Sequence, residues 1–274
     1  MLAVRAIRCC PVCCVVWLML VCGVLLPAVP AVAGEQIGVV LMHGEQGAPS
    51  RVIGGLGQAL VAAGYLVGRP DMCWSARRAY EAEFPDCLSA VDNAIVKLRN
   101  LGATSIVVAG FSLGGTAAVV YCADHPGCLG VIAIAPGHDA PVVAADPEIA
   151  QSIKHAQELL AAGKGDNTDT FADVSVGPTG PYTSEIATTA RIYLSFVGAD
   201  SRASIHKALA HLTAPLLWIV GADEAKAGGD ASAITGQAPA NPRSRYVAVM
   251  AGPLGTPEAS KAAVLAWLRD LGGG

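Results

Sequence analysis

Gly110-Phe111-Ser112-Leu113-Gly114 sets a serine between two glycines at the spacing of a sharp strand-to-helix turn, which leaves the hydroxyl exposed. An exposed serine is a nucleophile only if a base takes its proton. Earlier in the chain, His43-Gly44-Glu45-Gln46-Gly47 follows an apolar run. A loop of this kind presents backbone N–H groups, so an amide near Glu45 or Gln46, together with that of Leu113, is the candidate holder of a developing oxyanion. In this reading His43 is structural. Later, Gly221-Ala222-Asp223-Glu224 ends another apolar run, and Asp223, with Glu224 in reserve, is the candidate carboxylate that would orient a histidine.

Elements of a particular kind must carry these loops. Short, continuously apolar runs at 38–42, 65–68, 105–109, 129–135, 215–220 and 245–250 read as buried strands. Between them, apolar residues recur at helical spacing over 50–63, 86–101, 113–123 and 257–271. Such alternation predicts an α/β fold: a mostly parallel six-stranded sheet with helices on both faces. Residues 136–213 interrupt the rhythm with a helix at 147–162, polar and Pro/Gly-rich pieces and a helix-like stretch at 204–212. That is too long for an ordinary connection, and it predicts a helical cap over the carboxyl ends of the strands, where such sheets bind ligands.

Composition narrows the function. The 274 residues are 53% apolar and 15% charged, enough for a sizeable core. A net charge of -4 without a basic stripe argues against a nucleic-acid partner. There is no P-loop, dinucleotide fingerprint or metal-spaced His/Glu cluster, so neither cofactor nor metal is expected. Arg5 and Arg8 precede an apolar stretch at 9–26, then Pro27, Pro30 and Ala31-Val32-Ala33. This reads as a signal peptide cut near Ala33, giving an exported chain (periplasmic or secreted) at 34–274 with no stable membrane span; an uncleaved anchor is the alternative. Cys73, Cys87, Cys122 and Cys128 remain after cleavage. An oxidising compartment favours disulfides, and local pairing, Cys73–Cys87 and Cys122–Cys128, is expected among the possible pairings.

The segments LMHGEQG, VVAGFSLGG, LGVIAIAP and PLLWIVGADE, in this order with the insertion and the closing strand and helix, resemble the α/β-hydrolase family over essentially the whole mature chain. The resemblance implies Ser112 as nucleophile, Asp223 as acid and the region of Glu45, Gln46 and Leu113 as oxyanion hole. It fails at the last loop. The family's histidine follows the final strand, where this chain reads Met250-Ala251-Gly252-Pro253-Leu254-Gly255 and no histidine follows His211. Pro253 stands at the expected place. His138, just past the fourth strand, is the candidate substitute base; anchoring the cap is its plainer role. Trp74, Arg77 and Arg78, and Tyr182, Tyr193 and Phe196 in the cap, are candidate pocket walls. The expected function is an exported serine hydrolase taking a small-molecule acyl substrate, an ester or a related compound. The alternative is a catalytically impaired homologue that binds a small ligand or partner.

Overall fold

The structure, a computed structural model, describes residues 35–177, 180–222, 236–238 and 240–273. These belong to one unit, Gly34–Gly274. The signal segment expected at 1–33 lies outside the described residues.

The described strands are β1 (Ile37–Met42), β2 (Leu66–Gly68), β3 (Ser105–Phe111), β4 (Gly130–Ile134), β5 (Thr168–Gly177), β6 (Gly180–Thr189), β7 (Leu216–Gly221) and β8 (Arg245–Val249). Six of them form a sheet in the order β2-β1-β3-β4-β7-β8, and every pairing in it is parallel. The central strands β1, β4 and β7 are buried throughout, while β8, at the edge, is half-buried to exposed. Coverage on both faces explains why the central runs carry no polar alternation.

The helices are α1 (Gly54–Ala62), α2 (Phe84–Cys87), α3 (Ser89–Asn100), α4 (Leu113–Asp124), α5 (Ala140–Val143), α6 (Pro147–Ala161), α7 (Ala190–Val197), α8 (Ile205–Leu209), α9 (Thr256–Ala259) and α10 (Lys261–Gly272). On one face of the sheet, Val39, Leu41, Val107, Ile132 and Ile219 pack under Leu56 and Leu60 of α1 and Val264, Trp267 and Leu268 of α10. On the other face, Val40, Met42, Val108, Val131 and Trp218 pack against α3, α4 and elements of the insertion. The helix expected at 86–101 divides at Leu88 into α2 and α3, and the closing helix divides at Ser260.

Residues 136–213 form helices, as expected, and also an antiparallel hairpin, β5–β6, which the sequence reading did not anticipate. Asp146 caps α6 by accepting from the N–H of Glu148 at 2.9 Å, and Pro147 opens the helix. The hairpin was hidden by its own chemistry. Phe171, Asp173 and Ser175 all face inward at a period of two, but two of the three are polar. A hydrophobic alternation therefore never shows.

Both disulfides take the local pairing: Cys73–Cys87 with Cα atoms 5.5 Å apart and Cys122–Cys128 with 5.9 Å. The first closes the loop that leads from β2 to α3. Replacing Cys73 and Cys87 by serine is expected to lower unfolding free energy by about 3 kcal/mol, measured by urea denaturation, because the unfolded chain regains the entropy of that loop.

Candidate active site

The chain runs from β1 outward to β2, then back across to β3, so the strand order reverses between β1 and β3. Ligands bind at such a point in open parallel sheets. Met42 pairs with Gly110 at the carboxyl ends of these strands, which sets the His43–Gly47 loop beside Ser112.

Ser112 has φ 54° and ψ -125°, a conformation that L-residues avoid. Its backbone is held on both sides: Ser112 N–H donates to Ile134 O at 3.0 Å, and Gly115 N–H donates to Ser112 O at 2.8 Å. The turn tolerates no side chain at position 110, where a Cβ would lie 2.0 Å from Gly114 O. A Cβ on Gly44 would lie 3.0 Å from the Cβ of Ser112, so the two motifs are in contact through a residue that must be small. The strained serine opens α4, whose first amide, that of Leu113, has no intrahelical acceptor.

Of the two loop amides weighed for an oxyanion hole, that of Gln46 donates to Trp74 O at 2.9 Å. The amides of Glu45 and Leu113 have no backbone acceptor among the described residues.

Ser112 lines a pocket of about 300 Å³ shared with His43, Gly44, Glu45, Arg51, Phe111, Ser175, Tyr182 and Leu254. All six histidines of the chain are among the described residues, and His43 alone lines this pocket. Its ring is already committed. Met72 N–H donates to Nε2 at 3.1 Å, so Nδ1 carries the proton and donates to Gly44 O at 2.7 Å. Burial holds the ring neutral, offset in part by its bond to Gly44 and by Asp71. His43 is therefore the pillar that fixes the loop's shape, as the sequence suggested.

The structure places His138 behind the pocket rather than in its wall, 4% exposed. Its Nε2–H donates to Phe196 O at 3.2 Å, which leaves Nδ1 facing Glu45 Oε1 at 3.8 Å. Burial lowers its pKa. Asp223 and Glu224 lie outside the described residues. In the last loop, Pro253 begins a 3₁₀ turn, Pro253–Gly255, and the next residue, Leu254, lines the pocket. The cap aromatics divide. Tyr182 lines the pocket and is 55% exposed, whereas Tyr193 and Phe196 are buried in the packing of the cap. Trp74 is buried, its indole N–H donating to His43 O at 3.1 Å; Arg77 pairs with Asp71 and Arg78 with Glu81.

One feature of the site has no signature in the sequence. The Glu45 carboxyl, 9% exposed, meets Tyr80 and, through it, Asp173 of the hairpin. Burial and the neighbouring Asp173 charge push Glu45 well above the usual carboxylate range. Burial also raises Asp173, opposed by His138 and Tyr80. Two acids more than a hundred residues apart give no local pattern; only the inward phase of Asp173 on β5 would have pointed to it. Among the described residues no cluster of His, Cys, Asp or Glu is placed to hold a metal.

A monoacylglycerol lipase from Paleococcus ferrophilus superposes with a TM-score of 0.61 at 19% identity, over 85% of this chain and 94% of that one. One of the metagenome-derived lipolytic enzymes LipS and LipT superposes at 0.60 and 16% identity, over 87% and 94%. The chain has the α/β-hydrolase fold. Est1E of Butyrivibrio proteoclasticus, with ferulic acid bound, shares this α/β-hydrolase fold at 0.60 and 15% identity, over 88% and 92%. A thermostable monoacylglycerol lipase from Bacillus sp. (strain H-257) is 31% identical over 112 residues, which make up 40% of this chain and 44% of that protein. The match thus spans under half the length of that curated relative. No family model matches the chain.

Proposed function

We propose that the chain is an exported serine hydrolase that cleaves an ester or related acyl substrate through Ser112. The observation that carries this is the strained Ser112 at the head of α4, packed against the His43–Gly47 loop in a pocket at the sheet's switch point. In the reaction Ser112 Oγ attacks the acyl carbon. The amides of Glu45 and Leu113 receive the oxyanion, a role that hydrogen-bond geometry favours over Gln46. Asp223 is the family-position acid and His138 the histidine nearest the site's buried acids. The Bacillus and Paleococcus relatives are named as monoacylglycerol lipases, which supports a small acyl ester as substrate.

Export rests on the charged, then apolar, N-terminal segment with its Ala31-Val32-Ala33 site, and two disulfides support it. Among the described residues no helix is long and apolar enough to cross a membrane.

The test is steady-state hydrolysis of a short p-nitrophenyl ester and of a monoacylglycerol by the mature chain 34–274, with phosphonylation of Ser112 by a fluorophosphonate read by mass spectrometry. Turnover with labelling at Ser112 is the expected result. A second reading, a ligand-binding homologue that does not turn over, draws on Leu254 lining the pocket from the loop where the family's histidine is expected. Tight binding of an acyl ligand by an unlabelled, inert chain would establish it.

A further inference from the structure

Three segments distant in sequence converge on the side chain of Glu45: the loop carrying Tyr80, the hairpin strand carrying Asp173 and the stretch after β4 carrying His138. The Tyr80 hydroxyl donates to Glu45 Oε1 and lies 3.0 Å from Asp173 Oδ2. A phenol has a single hydrogen and cannot donate to both. One of the two carboxyls must therefore carry a proton and donate in turn. The cluster is a carboxyl–carboxylate pair bridged by a phenol.

Its construction is costly. Tyr80 has φ 56° and Ala79 φ 49°, values rare for residues with side chains. Tyr80 is nevertheless held in place: its N–H donates to Cys73 O at 2.9 Å and Thr188 Oγ1 donates to its carbonyl at 2.9 Å. Strain that the surroundings hold in place is characteristic of functional sites. Glu45 is also where the cluster opens to the Ser112 pocket, whose wall includes both residues.

We propose that the Glu45–Asp173 pair, holding one proton between two carboxyls, is the proton acceptor for Ser112 in place of a histidine. This rests on the reading of Ser112 as the nucleophile. Glu45 is the member that lines the Ser112 pocket; Asp173 and Tyr80 are positioning residues. As Ser112 Oγ bonds to the acyl carbon, its proton passes, directly or across one water, to the pair, and the monoanion becomes the diacid. The carbonyl π electrons move onto the oxyanion. When the intermediate collapses, the bond to the leaving oxygen breaks and that oxygen takes the proton back. Water then repeats the cycle on the acyl-enzyme, with the pair again accepting and returning one proton.

The titratable groups facing the pair are Tyr80, His138 and, further out, Tyr193, Asp139 and Asp146. His43 and Arg51 share the pocket wall. His138 is held neutral by burial and Asp139 is tied to His206. Acidification converts the monoanion to the diacid and removes the acceptor, so kcat/KM falls on an acid limb. The bond from Tyr80 favours the charged form of both carboxyls. Its removal raises the pH at which the acceptor is lost.

The experiment is the pH profile of ester hydrolysis for the wild type, Glu45→Gln, Tyr80→Phe and Ser112→Ala, with thermal unfolding to confirm that each folds. Glu45→Gln should lose about 10²-fold in kcat/KM together with its acid limb. Tyr80→Phe should keep the limb and move it to higher pH, which a purely structural tyrosine would not do. Turnover that depends on Ser112 but survives Glu45→Gln, or a limb that Tyr80→Phe does not move, overturns the pair and leaves the hydrolase reading standing. Turnover indifferent to Ser112→Ala, or none at all, overturns both.

Discussion

Ser112→Ala is expected to reduce kcat for a p-nitrophenyl ester by about 10³-fold or more while leaving KM nearly unchanged. The reasoning is local. The atom removed is one oxygen in the wall of the pocket, and the other lining residues, Phe111, Tyr182 and Leu254 among them, are untouched. Alanine also meets the same backbone strain at φ 54° as serine. Stability should accordingly shift by no more than about 0.5 kcal/mol, and the loss cannot be traced to unfolding. Steady-state kinetics beside a thermal melt checks both halves. A variant as active as the wild type would remove Ser112 from the chemistry.

Leu254→His is expected to do the opposite and raise kcat/KM by about 10²-fold. Leu254 reaches the pocket from the loop after the last strand and is 36% exposed, so an imidazole replaces it without opening a cavity in the core. A solvent-accessible histidine titrates near about 6.5, and the gain should appear as pH rises through that value, when the ring becomes neutral. Pro253→His is the instructive control. Pro253 starts the 3₁₀ turn and does not line the pocket, so its histidine should give the smaller gain. Adding Ser112→Ala to Leu254→His should abolish the increase; persistence of the increase would show that the new histidine acts on its own. An inactive Leu254→His beside an active Pro253→His would return the position to 253.

The strands and the elbow were legible because their signals are local. A continuous run such as residues 105–109 can only be buried on both faces, and the glycine at 110 is demanded by atoms four residues away. The H-G-x-x-G pattern reads His43 as a residue that shapes the loop, and both its ring nitrogens are engaged by the backbone of Gly44 and Met72. What stayed hidden depends on tertiary distance. Glu45 was read for its amide, because nothing near it in sequence hints at Asp173 or Tyr80. The hairpin shows no hydrophobic alternation because its inward face carries Asp173 and Ser175 beside Phe171. In the final loop the resemblance points to Pro253 as the histidine position, and its neighbour Leu254 is the residue that lines the pocket. His138 was placed at the pocket mouth by its strand, but the packing of Phe196 draws it one layer behind.

The Cys73–Cys87 bond spans the very segment in which Ala79 and Tyr80 adopt their unfavourable turn. Its covalent tether shortens the excursion available to Tyr80, and Cys73 itself supplies the carbonyl that Tyr80 N–H meets. Opening that bond would remove a tether from the segment that sets the phenol between the two acids, and none from the sheet or the serine turn.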